Sequence, residues 1–337
     1  MRRRQNPIVV VTGLVAALLV FAALTTGGDL GSFGITVMSG LFQGMLLFLV
    51  ASGLSIVFGL MDVLNLAQGA FFMVGAYVAW EIQHTGLFSG VPPDLRFPIA
   101  VVFATLVGAI LGVVLERGLI QPLYDRPVFQ IVLTFGVAIV LGEILKLIWG
   151  TETRAWTESF TIEAGSYELF GQRFGTYRLF VIGAGFVLII LIALLLRRTR
   201  IGIIIRAGVE DSEMVEALGI NVRLVFTLVF TLGCAVAALG GAVAAPFLSA
   251  SLGLGNRFLL GAVAVVVLGG LGSYEGTAVS SVLVGLAVAV VAKFSTVVDF
   301  PEGVLEFLNP SVLPTVTPML LLALVLLLRP RGLFGGE

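Results

Sequence analysis

The feature that most constrains this chain is a series of long apolar runs, separated by short stretches holding its charges, prolines and turn residues. The runs lie at roughly 8–26, 36–59, 66–83, 98–116, 128–149, 179–196, 222–246, 258–272, 277–294 and 312–328. About 20 apolar residues coiled as a helix match the hydrocarbon thickness of a bilayer. The expected fold is therefore all-α: a polytopic helical membrane protein of about ten spans. The runs lack period-two alternation, which excludes a transmembrane barrel. Composition agrees. Of 337 residues, 58% are apolar and 12% charged, against about 25% charged in soluble domains. Soluble enzymes, disordered chains and disulfide-stapled secreted domains are excluded.

The remaining composition removes further classes. A net charge of −1 leaves no footprint for nucleic acid. One cysteine, Cys234, allows neither an internal disulfide nor a CxxC metal site. One histidine, His84, excludes a His-rich metal site and an HExxH helix. No metal ligands and no catalytic residues are expected. The 42 glycines suit closely packed membrane helices.

Arginine placement sets the orientation. With the N-terminus in the cytoplasm, inside segments hold Arg2, Arg3, Arg4, Arg117, Arg126, Arg197, Arg198, Arg200, Arg206, Arg223, Arg329 and Arg331, twelve of the nineteen Lys and Arg residues. The outside holds Arg96, Arg154, Arg173, Arg178, Arg257 and Lys293, while Lys146 lies within a span. Both termini are expected inside. The first run follows Arg2–Arg4 and resembles a signal peptide. Its length and the lack of an A-x-A site favour a retained anchor, residues 1–32. Outside, residues 150–178 are read as a hairpin, a docking surface or a solvated loop. The stretch PEGVLEFL in the loop 295–311 suggests a short interfacial helix.

Two segments echo each other. Residues 53–80 and 261–291 each carry an apolar run, a polar Gly-containing break (Met61–Gly69 and Gly269–Gly276) and a small-residue helix. Interrupted segments in corresponding places of two halves point to discontinuous elements near a transport pathway, or to two Gly-rich turns. The longest inside loop, 197–223, crowds Glu210, Asp211, Glu213 and Glu216 between arginines. Asp211-Ser212 can cap a short helix through Met214, Val215 and Leu218, with Gly219 ending it. Such a helix is either a solvated turn or a docking element for a soluble partner.

The stretch GLSIVFGLMDVLNLAQGAFFMVGAY (53–77) resembles the GL-x-x-[VI]-x-G…[IL]NFAHG…[GA]AY segment of LivH-like permease subunits of ABC importers for branched-chain amino acids. Further similar segments follow in order: ERGLIQPLYDRP (116–127), RRTRIGIIIRAGVEDSEMVEALGI (197–220), VLGGLGSYEGTAVSSVLVG (267–285) and RPRGLFG (329–335). The resemblance spans 33–335 and implies an ABC permease transmembrane domain, half of a translocation pore in the plasma (inner) membrane. It implies a second, LivM-like permease subunit, two cytoplasmic ATPase subunits and an extracytoplasmic substrate-binding protein as partners, besides membrane lipid. It further implies that 197–223 is the coupling loop, with Glu210, Asp211, Glu213, Met214, Glu216, Leu218 and Gly219 docking in the ATPase. The chain has no GxxxxGK[ST] loop. ATP is expected on the partners, and no cofactor on this chain. Gln68 stands where histidine is common in relatives, and Gly261 where lysine is.

Candidate pathway residues are Ser52, Ser55, Asp62, Asn65 and Gln68. Polar groups at membrane depth need partners or face a wet cavity. Asn65 also reads as a helix cap, Gln68 as a packing residue, and the serines as bonded back to their own helices. Glu143 and Lys146, three apart, can pair. Trp80, Trp149 and Trp156 fit an outer aromatic belt. His84 reads as a loop residue. The leading function is a pore subunit moving amino acids by alternating access under ATP bound elsewhere. Urea, short amides or sugars as cargo, and a stand-alone secondary transporter, remain alternatives.

Overall fold

The computed structural model of the chain describes residues 7–88, 90–124, 126–157, 160–210, 212–297 and 312–335. Ten long helices stand where the apolar runs lie. They are α1 (Pro7–Thr25), α2 (Leu30–Met61), α3 (Gln68–His84), α4 (Pro93–Leu115), α5 (Pro127–Trp149), α7 (Thr176–Arg198), α10 (Val222–Leu248), α11 (Leu254–Gly269), α12 (Tyr274–Val297) and α13 (Leu313–Leu328). Short elements fill the connections: α6 (Thr161–Ala164), an antiparallel hairpin of β1 (Ser166–Leu169) and β2 (Gln172–Gly175), α8 (Arg200–Glu210) and α9 (Ser212–Ala217). The expected interfacial helix within 295–311 lies outside the described residues.

Six of these helices, α2, α4 with its extension to Leu123, α5, α7, α10 and α12, are long and apolar enough to cross a membrane. The helices α3, α11 and α13 have 17, 16 and 16 residues, about 24–26 Å each at 1.5 Å per residue. Two of the three adjoin the breaks that the echo marks, so the discontinuous elements are real features of the fold. The most apolar window of α2 is 72% buried and that of α5 only 11%. The bundle therefore has a centre of α2, α10 and α12, with α5 on its flank.

Local chemistry explains several boundaries. Asp29 caps α2, accepting from Ser32 N at 2.9 Å and Gly31 N at 3.1 Å. Those bonds, the one from Ser32 first, hold its carboxyl below the usual range. Proline opens α4 and α5, where the missing N–H costs nothing. α4 ends in a π turn over Glu116–Ile120. There the Tyr124 hydroxyl donates to the buried Glu116 carboxylate. Burial, and then that carboxylate, push the Tyr124 phenol above the ordinary tyrosine range.

The loop 150–178 is tied to the bundle in its first part, while its hairpin is largely exposed. Arg154 and Ala250 exchange backbone bonds of 2.8 and 3.0 Å. Trp80 donates to Ala155 O at 2.8 Å, and Trp149 donates to Glu81 Oε2 at 2.6 Å. His84 is the last residue of α3, not a loop residue. Its ring stacks on Trp80, and Nε2 accepts from Thr157 N at 3.1 Å. The Trp80 indole and the His84 imidazole thus join the end of α3 to the loop.

Helices cross where small residues remove the side-chain layer. A Cβ on Gly285 would fall inside the backbone of Gly40 and Gly44, and one on Gly241 inside that of Phe72. Gly69 and Gly255 meet backbone to backbone where α3 crosses α11. Lipid tails supply no hydrophobic drive between helices, so this close van der Waals contact does the work. Gly285→Val should therefore cost about 1–3 kcal/mol or more through overpacking. Thermal unfolding of the detergent-solubilised protein would read this as a clear drop in midpoint, with Gly183→Val, whose Cβ meets nothing within 4 Å, as the neutral control.

Candidate functional site

The first break, residues 62–67, is a compact polar knot. Asp62 ends α2 in the left-handed region at φ 54° and is exposed. Asn65 and Gln68 are fully buried. Asn65 Oδ1 accepts from Ala67 N at 3.0 Å, and its Nδ2 donates to Gln68 Oε1 at 3.2 Å. Gln68 Nε2 donates to Gly233 O on α10 at 2.9 Å. Thr134 Oγ1 on α5 accepts from Leu66 N at 3.2 Å and reaches Leu64 O at 3.4 Å. The start of α3 is thus tied to α10 on one side and α5 on the other. Asn65 does not cap α3, whose N-cap is Ala67 without a side-chain bond, but fixes the turn just before it through Ala67 N, and Gln68 packs on a neighbouring carbonyl.

Ser52 and Ser55 lie on the buried side of α2. Ser52 donates to Leu49 O at 3.2 Å, within its own helix. Ser55 accepts from Thr277 Oγ1 of α12 at 3.0 Å. Ser280, one turn along α12, donates to Val265 O of α11 at 2.7 Å. These hydroxyls run along the seam between the two echoing segments.

The second break, 270–273, turns on Gly270 (φ 103°) and Gly272 (φ 85°), a region that glycine adopts freely. The C-terminal tail closes it. Leu333 N donates to Leu268 O at 2.8 Å and Phe334 N to Gly269 O at 2.9 Å. These are end carbonyls of α11 that lack a partner within the helix. The last turn of α2 meets the second break, since Gly59 lies against Gly272. Beside them is a cavity of about 540 Å³ bounded by Leu60, Leu196, Arg206 and Tyr274. Arg197, at the end of α7, forms an ion pair with Glu275, at the start of α12.

Residues 197–223 follow. Thr199 Oγ1 accepts from Gly202 N at 3.1 Å and starts α8, which folds back on α7. Ile205 is buried. α9 ends as its sequence predicts, with Gly219 at φ 81° and Ile220 N reaching back to Val215 O at 3.3 Å. Val215 packs inward, whereas Met214, Glu216 and Leu218 face out. The backbone of Glu210 and Glu213 is helical, and Asp211 lies outside the described residues.

A cleft of about 250 Å³, absent from the sequence reading, opens between α3, α5 and α11. Glu143 and Lys146 lie on its α5 wall and pair at 3.2 Å, as their spacing predicts.

A bundle of apolar spans with broken helices and glycine crossings is the architecture of a polytopic helical membrane protein. Comparison with known proteins gives the family. The chain belongs to the family described as branched-chain amino acid transport system / permease component, matched over residues 36–328. It is 26% identical over 306 residues to the high-affinity branched-chain amino acid transport system permease protein LivH of Escherichia coli (strain K12), covering 88% of this chain and 94% of that relative. The corresponding BraD of Pseudomonas aeruginosa is 29% identical over 316 residues, with the same coverage. A probable LivH of Methanocaldococcus jannaschii is 28% identical, covering 87% and 89%. No solved structure matches the chain.

The knot makes a stability prediction. Gln68→Leu would leave Gly233 O and Asn65 Nδ2 without their bonds, at a cost of about 1–3 kcal/mol. A lowered unfolding midpoint in detergent is the expected result, and an unchanged midpoint would show that the knot adds nothing.

Proposed function

We propose that the chain is the pore-forming permease subunit of an ATP-driven importer whose cargo is a branched-chain or other hydrophobic amino acid. The observation that carries this is the family match together with a coupling segment that exposes Met214, Glu216 and Leu218 at the tip of a hook. Two cytoplasmic ATPase subunits supply the energy, and ATP binds there and not on this chain. A second LivM-like permease completes the pore, and an extracytoplasmic binding protein delivers cargo. The membrane is the plasma (inner) membrane, with both termini cytoplasmic, in keeping with the arginine distribution. The helix α1 is a retained anchor. Its contact with α12 through Phe21 and Phe294, rings 5.4 Å apart, supports this.

In this reading the ATPase pair closes on ATP and moves α8 and α9. The ion pair from Arg197 to Glu275 lies where α7 hands over to α8, so motion of the hook reaches the second break directly. The last turn of α2, which leads into the first break, lies against the second break at Gly59 and Gly272. Asp62, Asn65 and Gln68, with Ser52 and Ser55, shape the cytoplasmic side of the pathway, and their bonds hold α3 in the state described above. Alternating access is a shift between two such states, biased by ATP through its different affinity for each.

The coupling surface is testable by charge reversal. Glu210→Lys combined with Glu213→Lys should abolish ATP-driven uptake of labelled L-leucine while the protein still inserts in the membrane. Unchanged uptake would sink the coupling assignment. Mild-detergent affinity purification of the tagged wild type should recover two ATPase subunits and a second permease, and reproducible recovery of the folded chain alone would favour a stand-alone transporter.

A further inference from the structure

We propose that the cleft between α3, α5 and α11 is this chain's wall of the translocation pathway, and that Glu143 and Lys146 receive the ammonium and carboxylate of a zwitterionic aliphatic amino acid there. The inference rests on the amino-acid cargo proposed above and adds the place and the residues.

Three helix stripes form the cleft. On α5, Phe135, Ala138, Ile139, Gly142, Glu143 and Lys146 follow one face at helical spacing. Leu66 of the first break and Ala70 and Met73 of α3 face them. The beginning of α11 closes the side with Gly255, Asn256 and Leu259. At about 250 Å³ the space is smaller than pockets for drug-sized ligands and suits a small solute.

The charges are out of place for a lipid-facing wall. α5 is a span of 23 residues ending at Trp149. Glu143 lies six residues before that end, about 9 Å along the helix. The side chains of Lys146 and Glu143 are 45% and 62% exposed, on the flank that buries least of itself. Ionised groups in a span face the protein interior or a wet cavity, and mark ion or substrate paths. The open side is therefore one that a second permease subunit covers, leaving the cleft wet between the two.

Charge complementarity names the occupant. An amino acid presents one ammonium and one carboxylate on a single carbon. Glu143 and Lys146 present the opposite set on one helix face, so their own pair exchanges for two pairs with the cargo. Net charge in the cleft stays zero throughout. The aliphatic side chain meets Phe135, Ile139 and Met73. A sugar, urea or an amide offers no such pair of charges. The buried amides of the first break point the other way, towards Gly53 and Gly233.

The test uses the assembled transporter, with its copurified partners, in proteoliposomes, and labelled L-leucine as probe. Glu143→Gln, Lys146→Met and the cleft-filling Gly142→Leu should each lower uptake about tenfold or more, as loss of a charge-assisted contact or of the space requires. Ile144→Ala, on the opposite face of α5 and 43% exposed, should leave uptake unchanged. Equal uptake by wild type and all three cleft variants would overturn the proposal. A second readout does not depend on transport. The native Cys234 is fully buried. Gly142→Cys should therefore react with a charged, membrane-impermeant thiol reagent, L-leucine should slow that reaction, and Ile144→Cys should stay unmodified. No reaction at Gly142→Cys, or a reaction that leucine leaves untouched in a leucine-carrying transporter, would overturn the proposal. Should the wild type carry no leucine, the cargo reading fails by itself. Labelling alone then decides the cleft, reaction at Gly142→Cys and not Ile144→Cys keeping it as the pathway wall.

Discussion

A backbone crossing a bilayer has no water to satisfy its N–H and C=O groups, so each must be bonded within the protein. The rest of this structure follows from how that demand is met at two places where helices stop short. At the first break, side chains meet it: Asn65, Gln68 and Thr134 bond the freed backbone and bridge α3 to α10 and α5. At the second, the chain's own tail does so, with Leu333 and Phe334 donating to the last carbonyls of α11. Similar sequence patterns thus reach similar helix–break–helix shapes by different chemistry. The first solution is rigid and built from buried amides. The second is a strand of backbone laid across glycines, which can be withdrawn without leaving a buried side chain unbonded.

That difference suits the proposed division of labour. The second break is the one joined to the hook, through the ion pair of Arg197 with Glu275. Both partners are more than half exposed. Such pairs add little stability, about 0–1 kcal/mol. Its value is connection rather than strength, since a weak link can move with the hook and re-form. The first break holds one wall still while the other shifts. Gly59 against Gly272 is the bearing between them, a contact with no side chain to catch.

Much of this was legible in the sequence, and the physics says which part. The ten helices follow from apolar length alone. The end of α9 follows from Gly219, and the Glu143–Lys146 pair from its spacing, because each is a local rule acting within one turn. The helix α8 was not legible. Its glycines, Gly202 and Gly208, and its run of isoleucines are poor helix formers, and only packing on α7 with the bond from Gly202 to Thr199 makes it form. The tail over α11 and the bridge from Arg154 to Ala250 join residues far apart in sequence, and neither leaves a periodic trace. The family segment RPRGLFG carried the signal for the tail, but nothing in its composition said which helix it closes.

The cleft illustrates the same limit in a sharper form. Its lining comes from three helices, and each contributes an ordinary stripe at three- and four-residue spacing. Read along the chain, Glu143 and Lys146 are an i,i+3 pair that satisfies itself, and Leu66 and Ala70 are the apolar start of a span. Only the close crossing of Gly69 and Gly255 brings α11 near enough to α5 to enclose a space. A larger residue at either glycine would push α11 away, and the charges would then face lipid or bulk water. A small-residue crossing that seems to serve packing alone thus decides whether two charged side chains line a cleft or lie stranded on a flank. The amides that draw attention in the sequence, Asn65 and Gln68, spend their hydrogen bonds tying the start of α3 to α10 instead.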